Sequence, residues 1–141
     1  MPAPYGEVNV CAVYKETIVH PNYHARTSAK VFGGKPEDYE AIHDWFDATK
    51  EVFADCRHRA LRHHSQGIFE AERVFGRDIV NSDGKRVPVR YIGEQHVKED
   101  CGGMIPTVAD WFKNLKVEPW MNRGYKITGD GHVQEDSNHA R

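Results

Sequence analysis

The 141-residue sequence predicts a mainly α fold with a small β-hairpin: a compact α+β helical domain carrying one two-stranded antiparallel element. Three observations predict it. Apolar residues recur at steps of three and four from Ile42 to Phe75, the period of a helix face. One stretch, 79–91, alternates instead, around an Asp-Gly turn. Glycine pairs and prolines punctuate the remainder at intervals suited to short helices.

Taken in order, residues 1–19 alternate weakly (Val8, Val10, Ala12, Tyr14, Ile18) and read as an N-terminal arm or edge strand. Residues 20–121 read as a single globular histidine-rich domain. Asn22 is placed to cap a helix over 23–32, which Gly33-Gly34 stop. Pro36, Glu37 and Asp38 suit the first turn of the next helix. Its apolar face runs Ile42, Trp45, Phe46, Thr49, Val52, Phe53, Cys56 and Ala60, then Leu61, His64, Ile68, Ala71, Val74 and Phe75. One rod over 37–75 would be long for a small domain, so a break near 47–50 or Asp55 is expected, giving two antiparallel helices. Gly67 weakens a helix by about 1 kcal/mol against alanine, which points to close packing there.

The hairpin pairs Ile79-Val80 with Val87, Val89 and Tyr91, and Pro88 makes the second strand an edge. Residues 94–100 read as a short helix ended by Gly102-Gly103, and Thr107 with Asp110 as a capping box for 108–115. Residues 122–141 read as a polar C-terminal tail.

Composition narrows the function classes. A net charge of −2 gives no global pull towards nucleic acid or an anionic membrane, so any anion site must be a local cluster. Three cysteines (Cys11, Cys56, Cys101) without C-x-x-C spacing argue against a disulfide scaffold and a four-cysteine zinc site. No apolar run approaches a membrane span, and the start lacks a signal-peptide pattern, so a cytoplasmic protein is expected. No P-loop, serine-hydrolase or zincin motif occurs.

Nine histidines are the unusual count. His43 with Asp47, and His96 with Asp100, are four apart, so on a helix each pair can reach one ion, and Glu99 adds a carboxylate. Imidazole with carboxylate suits zinc, manganese or iron(II). Residues 56–64 pack three arginines and three histidines, a cluster that must meet carboxylates, a metal or a phosphate, or remain a solvated basic face. There His63 is the candidate ligand, with Glu70 seven residues on, and His64 falls on the apolar stripe as a core histidine. His24, His43-Asp44 and a later Asp are superficially similar to metal-dependent HD phosphohydrolases, although the spacing between the first two ligands is short and the chain small.

The segments 23–25, 32–34, 42–47 (Ile-His-Asp-Trp-Phe-Asp), 58–64 (His-Arg-Ala-Leu-Arg-His-His), 75–76 and 93–100 (Gly-Glu-Gln-His-Val-Lys-Glu-Asp) resemble a family of small tailed-phage and bacterial proteins known only as a domain of unknown function. The resemblance covers about residues 20–121 and implies a phage or bacterial setting, without an activity or ligand.

These residues predict a metal site of His43, Asp47, His63, His96 and Asp100, with Glu94 as base for activated water and Arg59 and Arg62 holding a phosphate-bearing substrate. The reaction class would be metal-assisted hydrolysis of a phosphoester or nucleotide. The alternative is a non-enzymatic phage accessory protein that binds a host protein, nucleic acid or signalling nucleotide through the basic helix 57–64. A third reading is a pH-responsive structural component, since imidazoles titrate near neutrality.

Overall fold

A computed structural model describes residues 21–135. The expected arm at 1–19 and the last six residues lie outside them. The first helix, α1, is Pro21–Phe32, ended by Gly33 and Gly34 at φ 86° and 72°. A 3₁₀ turn at Pro36–Asp38 leads into α2, Glu40–Asp47, and a second turn at Ala48–Glu51 follows. The arginine- and histidine-rich stretch is a third 3₁₀ segment, Cys56–Leu61, and α3 is Ser65–Phe75. The apolar face holds within α2 and α3, where Ile42, Phe46, Ile68 and Ala71 are buried, but Val52, Phe53, Cys56, Leu61 and Val74 are exposed, and the chain is interrupted repeatedly rather than once. Asp55 caps the third turn by accepting from the Arg57 N–H, which helps to end the run.

Strands β1 (Asp78–Val80) and β2 (Arg86–Pro88) pair antiparallel, with Ile79 opposite Val87, around the expected turn. The second strand stops earlier than its alternation suggested. Pro88 is its last residue and the N-cap of α4, Val89–Asp100. Val89, Ile92, Gly93, His96 and Val97 are the buried positions of α4, one stripe at helical period, and that burial overrides the apparent Val87-Val89-Tyr91 alternation. Thr107 and Asp110 form the expected capping box for α5, Val108–Phe112. Beyond it, β3 (Tyr125–Ile127) and β4 (Val133–Glu135) form a second hairpin where the sequence suggested a featureless tail.

Helix α4 packs most extensively on α3 and is also met by α1 and α2. The core comprises Ala25, Tyr39, Ile42, Phe46, Ile68, Ala71, Val87, Val89, Ile92 and Val97. Gly93 permits a close approach of α4 to its neighbours: a Cβ there would lie 3.1 Å from Phe46 Cζ and 3.3 Å from Ile68 Cγ2. The Phe46 ring in turn stacks on His96, centroid to centroid 4.9 Å.

A polar clamp joins the end of α1 and the 36–38 turn to the first hairpin. Asn81 is buried and fully used: Nδ2 donates to the Phe32 carbonyl and the Tyr39 hydroxyl, while Oδ1 accepts from the Asp83 and Lys85 N–H groups. Asp38 accepts from the Lys35 and Ser82 N–H groups and the Ser82 hydroxyl, and Asp83 accepts from the Gly34 N–H. These bonds hold the Asp38 carboxyl below its usual range.

Candidate metal centre

The stripe that buries Ile92 and Val97 of α4 ends in His96 and Asp100, so the helix carries two polar side chains into the interior at its C-terminal end. Helix α2 does likewise with His43 and Asp47, four apart beside the buried Ile42 and Phe46. Helix α1 adds His24, and the turn after the third 3₁₀ segment adds His63, whose N–H donates to the Arg59 carbonyl. The His24, His63 and His96 side chains are fully buried, Asp100 is 1% exposed and Asp47 6%.

The polar atoms converge tightly. His63 Nε2 is 2.9 Å from Asp100 Oδ2, His96 Nε2 is 3.2 Å from the same oxygen, and the two Nε2 atoms are 3.1 Å apart. Asp47 Oδ1 lies 3.6 Å from His63 Nε2 and 3.5 Å from His96 Nε2. His24 Nδ1 meets Glu99 Oε2 at 2.8 Å, and its Nε2 points inward, 3.3 Å from Asp100 Oδ1 but off the line of a ring N–H bond, so it makes no hydrogen bond. His43 Nδ1 lies 2.9 Å from His96 Nδ1, and His43 Nε2 lies 2.8 Å from Ser28 Oγ. Donor atoms of His24, Asp47, His96 and Asp100 all fall within 4.8 Å of one another, as do those of His24, His43 and His96.

Protons alone serve this geometry poorly. In the triangle of His63 Nε2, His96 Nε2 and Asp100 Oδ2, each contact needs one hydrogen between its two atoms. With Asp100 ionised, two ring protons can serve the two nitrogen–oxygen edges, but they then face each other across the third; with one proton, two lone pairs collide. A cation among the three satisfies every edge. Ligand bonds of about 2.0–2.1 Å, at octahedral or tetrahedral angles, set donor–donor distances of about 2.8–3.4 Å. The 2.9–3.2 Å distances among His63, His96 and Asp100 fall in that range, and Asp47 lies just beyond it at 3.5 and 3.6 Å.

The electrostatics agree. Burial opposes the ionised form of Asp100, yet contacts with His24, His63 and His96 hold its carboxyl well below the usual range, and His63 and His96 do the same for Asp47. Burial would also lower His24, but the Asp100 and Glu99 carboxylates overcome it and push the ring up to about 9. His43 is the opposite case: burial, then the positive charges of His96 and His24, push it down to about 2.

The five predicted ligands therefore meet in space, and the structure adds His24. Sequence reasoning named His24 only in the HD comparison, which the short spacing and small chain weakened; its partners here, Glu99 and Asp100, lie more than seventy residues away. Asp44, the carboxylate that comparison needs, is exposed, and Asp47 one turn later faces the cluster instead. Glu70 is half-buried and forms no ion pair with His63, whose carboxylate neighbours are Asp100 and Asp47.

Arg59 lies just outside, donating to the Asp100 carbonyl and with Nη2 3.9 Å from Asp100 Oδ1. It lines a cleft of about 440 Å³ with Asp100, Met104, Pro106 and Trp111. Arg62 turns elsewhere, donating to the Trp45 carbonyl with its guanidinium 4.1 Å above the Trp45 ring. Glu94 makes no hydrogen bond or ion pair with the cluster. His64 is the N-cap of α3, accepting from the Gly67 N–H and donating to the Leu61 carbonyl.

Residues 19–121 match the model of a family described as Domain of unknown function (DUF6915). The chain belongs to that family. All six inward-facing histidine and aspartate side chains fall inside the matched span, so the centre is carried by the family's domain. No curated protein and no solved structure matched the chain. No described helix is long and apolar enough to cross a membrane.

Proposed function

We propose that this protein binds one divalent transition metal, zinc, manganese or iron(II), in the buried histidine–aspartate centre. The observation that carries the reading is the triangle of His63 Nε2, His96 Nε2 and Asp100 Oδ2, whose edges no placement of ring protons satisfies while Asp100 is ionised and one cation does. Two carboxylates would neutralise the ion, which a buried site requires. The test is elemental analysis of untagged protein, followed by zinc titration of chelator-treated protein. One equivalent bound with displacement of a competing chelator supports the reading, and no stoichiometric uptake of zinc, manganese or iron overturns it.

Metal-assisted hydrolysis of a phosphoester or nucleotide is the finer reading. It is favoured by the cleft that opens on Asp100 beside the Arg59 guanidinium, a cation suited to a phosphate. Arg62 and Glu94 do not line that cleft, so of the three residues first assigned to substrate and base, Arg59 carries over. Turnover of a chromogenic phosphodiester by metal-loaded protein, lost in Arg59→Gln with metal retained, would support hydrolysis. Absence of turnover would leave the ion a structural role. The alternative of a basic binding helix has less support, because Arg59 and Arg62 donate to backbone carbonyls and His58, His63 and His64 are buried. The phage or bacterial setting implied by the sequence resemblance belongs to the same proposal.

A further inference from the structure

Two overlapping donor groups could hold the ion: an all-nitrogen group of His24, His43 and His96, and a mixed group of His24, Asp47, His96 and Asp100. We infer that a hydrogen-bonded chain through Gln95, Ser28 and His43 fixes the His96 proton on Nδ1. It thereby aims the His96 Nε2 lone pair at the carboxylates and makes His43 a positioning residue rather than a ligand. The inference rests on the metal reading above and decides which side of His96 the ion occupies.

The chain can be followed one proton at a time. The Gln95 side chain lies 3.1 Å from the His24 carbonyl and 2.7 Å from Glu99 Oε1, and both are pure acceptors, so its amide nitrogen must face them. The Gln95 oxygen is then the atom facing Ser28, and the Ser28 hydroxyl donates to it at 2.8 Å. That donation uses the only proton Ser28 has. Ser28 Oγ must therefore accept from His43 Nε2, 2.8 Å away.

With Nε2 protonated, the charge state of His43 settles its other nitrogen. The ring is fully buried, and its two nitrogens face a hydroxyl and another imidazole, with no carboxylate bonded to either. A buried imidazolium without a bonded counter-ion is strongly disfavoured, so His43 is neutral and Nδ1 carries a lone pair. At 2.9 Å the partner nitrogen, His96 Nδ1, must supply the hydrogen. His96 Nε2 is then left to face His63 Nε2, Asp100 and Asp47. His24 is oriented in the same way: its Nδ1 donates to Glu99 and its Nε2 points inward without a hydrogen bond. His96 and His24 thus each have one nitrogen held by an outer partner and the other presented to the ion. The mixed group also supplies two negative charges for a dication, whereas the all-nitrogen group supplies none.

Long-range proton–nitrogen correlation spectra of the histidine rings in zinc-loaded wild-type protein test this without any variant. The expected result is zinc-shifted Nε2 resonances for His24, His63 and His96, and a neutral His43 protonated on Nε2 with an unshifted Nδ1. A zinc-shifted His43 Nδ1 would overturn the inference while leaving the metal reading intact. Failure of the wild type to bind zinc would overturn both. Variants give a second measurement. His43→Asn, whose amide oxygen can still accept from His96, should retain one equivalent of zinc with affinity lowered about 10–100-fold, the usual range for an outer-shell change. Asp47→Asn and Asp100→Asn should each weaken zinc by more. If either leaves zinc affinity unchanged, or if His43→Asn abolishes stoichiometric binding in a folded protein, the ion lies on the all-nitrogen side.

Discussion

Two polar clusters sit on opposite sides of the same core, and they differ in kind. Around Asn81 and Asp38 every buried polar atom meets a complementary one: donors face acceptors, and the bonds staple the first hairpin to the turn before α2. Around His96, like faces like. Imidazole nitrogens point at one another, carboxylate oxygens crowd the same space, and Asp47 Oδ2 and His63 Nδ1 have no hydrogen-bond partner. A satisfied network is architecture, since burying it costs little once its bonds are made. A cluster of this kind is costly to fold, and in the proposed reading a metal ion offsets that cost.

The sharpest way to break this comparison is to strike each cluster once. Asp100→Asn should lower zinc affinity by about 100-fold or more, because first-shell loss exceeds the outer-shell range, with little change in far-ultraviolet circular dichroism. Asn81→Ala should do the reverse, leaving zinc stoichiometry untouched while costing about 2–4 kcal/mol in a denaturant melt, as buried partners lose their bonds. If the two variants behave alike, the division between architecture and site fails.

Gly67 joins the two kinds of behaviour. A Cβ on this residue would sit 1.8 Å from the Arg62 carbonyl oxygen, a backbone atom that cannot move without carrying His63 with it. Gly67→Ala should therefore cost about 3 kcal/mol in stability and also weaken zinc binding. Stability loss with unchanged zinc affinity would show that His63 is positioned independently of α3.

The third expectation concerns pH. His24 in the metal-free protein has its pKa raised from 6.5 to about 9, so its contribution to stability is complete below pH 6.5 and is lost as pH rises through 9. The effect is on the order of 3 kcal/mol. His58 acts at the other end. Burial and the nearby His63 push it down to about 4, so the unfolded chain takes up its proton first and stability falls between pH 6.5 and 4. A bound ion takes the place of the His24 proton, so the stability gap between zinc-loaded and metal-free protein should widen from pH 6.5 to 9. Thermal melts across that range would expose a gap that stays constant. The smallest effect belongs to Arg57, whose exposed pair with Asp55 at 2.6 Å is screened by water. Arg57→Ala should change stability by less than about 1 kcal/mol and leave zinc binding alone.

The sequence made some of this visible and hid the rest for identifiable reasons. His43 with Asp47 and His96 with Asp100 were legible because helical period alone puts each pair on one face. His63 stood out by its crowded surroundings, though it lies on a turn and its carboxylate is Asp100 rather than Glu70. His24 was not legible as a ligand, since only tertiary folding brings α1 against the end of α4. The chain of Ser28 and Gln95 was hidden for the same reason, being made of residues 67 positions apart. Val89 and Tyr91 continued the strand alternation of Val87, and only the burial of Ile92, His96 and Val97 reveals the helix. The second hairpin did leave a sign, Thr128-Gly129-Asp130-Gly131 between Tyr125–Ile127 and Val133–Glu135, a turn sequence between two short β-prone runs.

The inward-facing side chains come from four separate stretches of backbone: α1, α2, the turn at His63, and α4. An ion held among them would be gripped from several of these stretches at once, so it would not leave by breaking a single bond. One of those stretches must first swing away, and the frequency of that opening becomes the ceiling on exchange. Once a scavenging chelator is abundant enough to capture every ion that emerges, adding more of it should no longer speed release. The limiting rate should then coincide with the rate at which the most protected amides of α4 open to solvent, so that the lifetime of the bound ion becomes a clock for the breathing of the fold.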